Sequence, residues 1–166
     1  MYRLSFVLVA LLAAAPSFAQ TRFEFSNIPI SLQAGEGWSI RNDRSYPAVG
    51  LSVALLSTPE EDAAISVEMR EGSLLTLGDR TQWSDGLVIT RLHGFDSIIR
   101  VDPVIPAEVI PRQTTYLVTR EDQAFFAVFF ECQGQYYTVF AGAEAASFDK
   151  WTPEFRKILG GLQLRS

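Results

Sequence analysis

Polar and apolar positions alternate with a period of two through Arg22-Phe23-Glu24-Phe25, and Ile28, Ile30 and Leu32 carry the same period onward. A period of two puts successive side chains on opposite faces of an extended chain, so this stretch predicts β-strands. Gly35-Glu36-Gly37 forces a turn, after which Trp38 and Ile40 resume the alternation ahead of a polar loop from Arg41 to Ser45. Leu51 to Leu55 and Ala64 to Met69 predict two further strands, separated by the acidic turn Pro59-Glu60-Glu61-Asp62. From Leu74 to Val88 the apolar residues Leu74, Leu77, Trp83 and Leu87 suit a helix, which Gly78 and Gly86 weaken.

The second half predicts an antiparallel meander. Gln113–Thr119, Ala124–Cys132 and Gln135–Ala141 read as three consecutive strands, joined by Arg120-Glu121-Asp122-Gln123 and by Gln133-Gly134. A two-residue loop at Gln133-Gly134 pairs Cys132 with Gln135 and Phe130 with Tyr137. It also puts Phe126, Val128, Phe130 and Cys132 on one face and Phe125, Ala127 and Phe129 on the other. A strand apolar on both faces needs cover on both, and helices are the expected cover. Phe148, Trp151, Phe155, Ile158 and Leu159 form one stripe of a C-terminal helix. Ser147 is a cap candidate, and Thr152-Pro153-Glu154 suits a second helix start, so two pieces joined by a kink are expected. Gly160-Gly161 ends the helix, and Leu162-Gln163-Leu164 reads as a closing strand.

The extreme N-terminus has a different pattern. Arg3 precedes ten uninterrupted apolar residues, Phe6 to Ala15, too few to span a bilayer. Pro16 and Ser17-Phe18-Ala19 follow, with small residues where a signal peptidase requires them. We expect a signal peptide over residues 1–19, cleaved after Ala19, and one globular domain over 20–166 in the periplasm or secreted. Gln20 stands where a lipoprotein needs Cys, so neither a lipid anchor nor a membrane span is expected after cleavage. Removing those 19 residues, which hold one arginine, leaves 147 residues and takes the net charge from −5 to −6. Such a chain offers no basic surface for nucleic acid phosphates. It is long enough to bury about 68% of its unfolded surface without disulfides.

Four segments together resemble the PsbP-like superfamily, which also contains the DcrB-like exported proteins and the Ran-binding Mog proteins. These are Phe23-Glu24-Phe25, the turn Gly35-Glu36-Gly37-Trp38-Ser39-Ile40, the strand Tyr136-Tyr137-Thr138-Val139-Phe140, and the ending Phe148-Asp149 with Pro153-Glu154-Phe155-Arg156, Ile158-Leu159 and Leu162. The resemblance covers roughly Arg22 to Leu164 at core and turn positions. It implies an α+β fold, a central antiparallel sheet flanked by helices as an α/β/α sandwich. It further implies an accessory or binding role rather than catalysis, and it carries no functional residue across.

Candidate chemistry is sparse. One Cys and one His fall short of a zinc site, and one Cys makes no internal disulfide. Cys132 and His93 are the residue types of a thiol nucleophile and its base. The alternatives are a buried strand thiol with a loop histidine, or a thiol exposed at the hairpin end that pairs between molecules. Ser52, Ser57 and Ser84 lie in no nucleophile motif. Glu60-Glu61-Asp62 and Glu121-Asp122 offer paired carboxylates in turns, without the ligand order of a calcium loop. Gly35-Glu36-Gly37 is too short for a phosphate loop. The aromatic residues alternate within strands and are expected in the core. Val101 to Pro111 is confined by Pro103, Pro106 and Pro111 to an edge or arm, whose aliphatic residues either pack on the sheet or form a sticky surface.

The expectation is an exported, non-catalytic binding or accessory protein of the cell envelope, acting through protein contacts. No catalytic, cofactor-binding or metal residues, and no cofactor, are expected. Two alternatives stand beside it: a small hydrolase using acidic residues, which needs two carboxylates converging in a pocket, and a carrier of an apolar ligand, which needs a cavity between sheet and helix.

Overall fold

The computed structural model describes residues 20–74 and 94–165. In chain order these hold β1 (Thr21–Glu24), β2 (Ile30–Ala34), β3 (Ser39–Tyr46), β4 (Leu51–Ser57), β5 (Ala63–Glu71), β6 (Ser97–Val101), β7 (Gln113–Arg120), β8 (Gln123–Cys132), β9 (Gln135–Glu144), α1 (Phe148–Gly160) and β10 (Gln163–Leu164). The strands make a seven-stranded sheet, ordered β3-β4-β5-β9-β8-β7-β6, and a three-stranded sheet, ordered β1-β2-β10. Every pairing is antiparallel. The signal segment, Ser84, His93 and all of the candidate 74–88 helix except Leu74 lie outside the described residues.

β7, β8 and β9 form the meander that the alternation predicts. Cys132 faces Gln135 and Phe130 faces Tyr137, the register that a two-residue loop dictates. Gln133 and Gly134 both take positive φ, 53° and 74°, the geometry whose twist matches that of the paired strands. Phe126, Val128 and Phe130 join the main core, while Ala127 and Phe129 join a second cluster on the opposite face. The strand is thus covered on both sides, as its composition requires.

On the main face the cover comes from three sources that share one cluster: Ile30 and Leu32 of β2, Phe148, Phe155, Ile158 and Leu159 of α1, and Val104, Ile105 and Ile110 of the loop after β6. On the other face aromatic rings pack on one another. Phe95 lies 6.2 Å from Phe125 and 6.3 Å from Phe140, centre to centre, and Phe129 lies 6.3 Å from Tyr116. Of the expected flanking helices, α1 is the one α-helix among the described residues. The architecture is a mostly antiparallel sheet with a small sheet and a helix on one face.

The C-terminal stripe is buried as predicted, with Trp151 half-buried at its margin. Pro153 does not divide it. Phe148 to Gly160 is continuous: Pro153 forfeits the bond to the Asp149 carbonyl and crowds it, but burial of Phe148 before it and of Phe155, Ile158 and Leu159 after it holds both parts of the helix on the sheet. Thr152 Oγ1 donates to the Phe148 carbonyl at 3.0 Å rather than capping a second helix. At the other end the Gly161 N–H reaches the carbonyls of Lys157 and Ile158 at 3.0 and 3.2 Å.

Three segments depart from the sequence reading. Arg41 to Ser45, expected as a loop, continues β3, with the register slipping between Ile40 and Asn42. An edge strand exposed on both faces has no reason to alternate, so its polarity concealed it. Ser97–Val101, assigned no element from sequence, is β6. Val101 to Pro111 resolves in favour of packing: Val104, Ile105 and Ile110 are buried. The Gln113 side chain holds this loop closed. Its Oε1 accepts from the Ile105 N–H at 3.2 Å, and its Nε2 donates to the carbonyls of Ile105 and Ile110 at 2.7 and 3.0 Å.

Asp43 on β3 ties the β1–β2 connection to the large sheet. Its carboxylate accepts from the Ser26 N–H at 2.6 Å and from Asn27 Nδ2 at 3.3 Å. Partial burial raises its pKa, but these hydrogen bonds outweigh that and hold the carboxyl below the ordinary carboxylate value. A depressed folded pKa gives stability that is present above the unfolded value, about 3.9, and lost as pH falls through the folded value. Asp43→Asn should therefore be less stable than the parent at neutral pH, with the gap closing below about pH 4. Urea titrations across pH check this, and a gap independent of pH would contradict it.

Candidate functional site

Of the candidate residues, Ser52, Ser57 and Asp62 make hydrogen bonds that hold the fold together. Ser52 donates to Ser45 Oγ at 3.2 Å across the β3–β4 pair, and Ser57 Oγ accepts from Arg41 Nε at 3.2 Å. In the β4–β5 turn, Thr58 Oγ1 donates to Asp62 Oδ1 at 2.6 Å. In the β7–β8 turn, the Glu121 N–H donates to Asp96 Oδ2 at 2.6 Å. The two turns share one end of the large sheet, since Ala63 and Ala124 both pair with Ala143. Among the described residues, no group of three or more His, Cys, Asp or Glu side chains is placed to hold a metal ion. The Gly35-Glu36-Gly37 turn joins β2 to β3, with the Gly35 N–H 3.4 Å from Glu154 Oε1.

Cys132 is half-buried at the end of β8, packed against the main core, while its candidate base His93 lies outside the described residues. Tyr137, two positions beyond the partner of Cys132 in the hairpin, stacks on Phe130 at 4.8 Å. Burial first, and the neighbouring Cys132 second, push its phenol up to about 12, so it stays protonated at physiological pH. We expect thiol alkylation to be several-fold slower in the native protein than in denaturant, because packing restricts access to the sulfur. Equal rates in the two states would place the thiol at the surface.

The space between sheet and helix, where an apolar ligand would sit, is occupied by side chains. Phe148 lies 5.3 Å from Phe126 and 5.9 Å from Phe155, while Trp38 meets Trp151 and Phe155 edge-on at 6.1 and 6.4 Å.

The two edges of the large sheet differ in character. A free edge exposes unpaired N–H and C=O groups, and proteins blunt such edges with bulges and charges. β3 has both devices: a register slip beside Arg41, and Asp43 and Arg44 along its length. β6 is regular, and its sequence Ser-Ile-Ile-Arg-Val is rich in β-branched residues, with a single charge. Its Ile99 side chain is 55% exposed. Directly beyond the strand lies an open depression of ≈ 670 Å³ lined by Arg100, Val101, Asp102, Pro103 and Arg156.

Three of the lining residues owe their place to the fold. Val101 turns toward the main core, and strand alternation sends Arg100 to the opposite face, beside Tyr116. Arg156 lies on the exposed side of α1, one position after the fully buried Phe155, with its guanidinium 5.1 Å from the centre of the Phe126 ring. Neither Arg100 nor Arg156 forms an ion pair or hydrogen bond with the described residues. The sequence reading missed this cluster. Ile98, Ile99 and Val101 were the available sign of a strand, but nothing local connects Arg156 with Arg100.

No family model matches the chain, and no curated protein matches it. Among solved structures the chain is similar to cyanobacterial PsbP (CyanoP) from Synechocystis sp. PCC 6803, with a TM-score of 0.53 at 12% identity, covering 94% of this chain and 98% of that one. The fold is PsbP-like. A Bacteroides thetaiotaomicron VPI-5482 protein matches with a TM-score of 0.48 at 10% identity over 87% of this chain, which spans 48% of that protein. Within the PsbP-like fold, the segments that carried the sequence resemblance occupy framework positions. Phe25, Trp38, Tyr137, Val139, Phe155 and Leu159 are all buried in one core. The depression beside β6 draws on Arg156 of the same C-terminal segment, but on its exposed side.

Proposed function

We propose that this chain is an exported, non-catalytic accessory protein of the cell envelope that works by docking a protein partner along β6. The observation that carries this reading is the asymmetry of the two sheet edges: β3 is bulged and charged, whereas β6 is regular, β-branched and, among the described residues, paired on one side only. An unguarded edge is a template for an added strand, with main-chain hydrogen bonds supplying affinity and flanking pockets supplying selection. The PsbP-like fold is consistent with an accessory role. Export follows from the order of charged, apolar and small residues in 1–19, with β1 starting at Thr21, just beyond the expected cleavage point.

The test is site-specific photo-crosslinking of the mature protein in its native exported fraction. A crosslinker replacing Ile99 on β6 should capture a stoichiometric partner, and one replacing Ile40 on β3 should not; both side chains are accessible, at 55% and 39%. Capture from neither position, or equally from both, would contradict docking at β6.

A further inference from the structure

We infer that the segment docked on β6 is acidic, and that the depression at the end of the strand binds its carboxylate between Arg156 and Arg100. This rests on the reading of β6 as a docking edge and adds the chemistry of what docks there. The depression holds two guanidinium groups and one carboxylate, Asp102, in a protein that carries a net charge of −6 after the expected cleavage. Three other arginines are used internally: Arg22 and Arg165 both pair with Glu24, and Arg41 bonds Ser57 Oγ and the carbonyls of Thr58 and Pro59. Arg100 and Arg156 are exposed beside an edge strand and form no ion pair or hydrogen bond among the described residues.

Geometry makes the pair usable. Contact with the Phe126 ring limits the motion of Arg156, so less side-chain entropy is lost when an anion arrives. A strand laid against β6 alternates its side chains, presenting one set to the α1 face, where Arg156 stands, and the other to the face of Arg100. At the end of β6, where the two arginines line one depression, a glutamate or aspartate of that strand meets both guanidinium groups, whose planar forks match a carboxylate. Asp102 on the same rim leaves a net single positive charge, which suits one carboxylate better than a doubly charged phosphate.

The probe is a short acetylated peptide of alternating valine and threonine with a central glutamate, compared with its glutamine counterpart. Binding is followed through the backbone amide shifts of the mature protein. The glutamate peptide should perturb Ser97–Val101 and bind roughly three- to five-fold more tightly at low salt, the range of a partly exposed ion pair. That preference should vanish at 1 M salt, where the Debye length is about 3 Å, and in Arg156→Gln or Arg100→Gln. Both arginines are exposed, so these variants keep the fold, and unchanged thermal unfolding verifies it. Equal binding of the two peptides at β6 would overturn the carboxylate inference while leaving edge docking intact. Failure of both peptides to perturb β6, or its occlusion by a second copy of the chain, would overturn both.

Discussion

Phe155→Ala should destabilise the protein by about 3–5 kcal/mol, the range for truncating a large aromatic side chain in a core. Phe155 is 0% exposed, and its ring contacts Phe148 at 5.9 Å, Trp151 at 6.3 Å and Trp38 at 6.4 Å. It is thus the point where α1 meets the connection between the two sheets. Because Trp38 lies outside α1, which holds Phe148 and Trp151, the space left by the ring cannot close by a shift of the helix alone, which favours the upper part of the range. Trp151→Ala should have a smaller effect, since that side chain is half-buried at the margin of the stripe. Urea unfolding of both variants against the parent gives the order directly. A loss below about 1 kcal/mol for Phe155 would mean that α1 does not pack its stripe on the sheet.

Gly142→Ala should cost about 1–3 kcal/mol by overpacking. Gly142 on β9 lies directly across from Phe125 on β8, and a Cβ there would collide with the Phe125 ring edge and sit 2.9 Å from the Ala124 carbonyl. The ring has little freedom to retreat, being held edge-on by Phe95 and Phe140 at 6.2 Å each. Glycine is needed here for close approach and not for an unusual backbone angle. Phe125→Leu should therefore partly rescue Gly142→Ala. A double-mutant cycle read by thermal unfolding would show coupling of more than about 0.5 kcal/mol, whereas strict additivity would sink the explanation.

What the chain revealed early was whatever a single strand or helix expresses locally. Val128 and Phe130 alternate with Ala127 and Phe129, and the Gln133-Gly134 loop fixes which residues pair, so the meander and its register were readable. The stripe from Phe148 to Leu159 was readable for the same reason, as one face of one helix. Pro153 was over-weighted as a break because its cost depends on position within a helix whose start is set by packing. The Arg41–Ser45 part of β3 and the whole of β6 were not legible because both strands are edges. A strand with only one neighbour and weak burial needs no period of two, so Arg41 to Ser45 looked like loop and Ser97–Val101 carried no pattern.

The candidate site divides along the same line. Composition determined that the protein is acidic, and the residue inventory determined how little nucleophile, base and metal-ligand chemistry it contains, because these depend only on which residues are present. The local periods determined most of the strands and the C-terminal helix, because they depend on neighbours two, three or four positions away. The tertiary structure decided that the loop from Val104 to Ile110 packs into the core, and that β6 is an edge of the sheet among the described residues. It also decided that Arg156, fifty-six positions from Arg100 in the chain, lines the same depression. Sheet order and the seating of α1 bring such residues together, and those are set by the burial of side chains from every element at once, which no local stretch of sequence encodes.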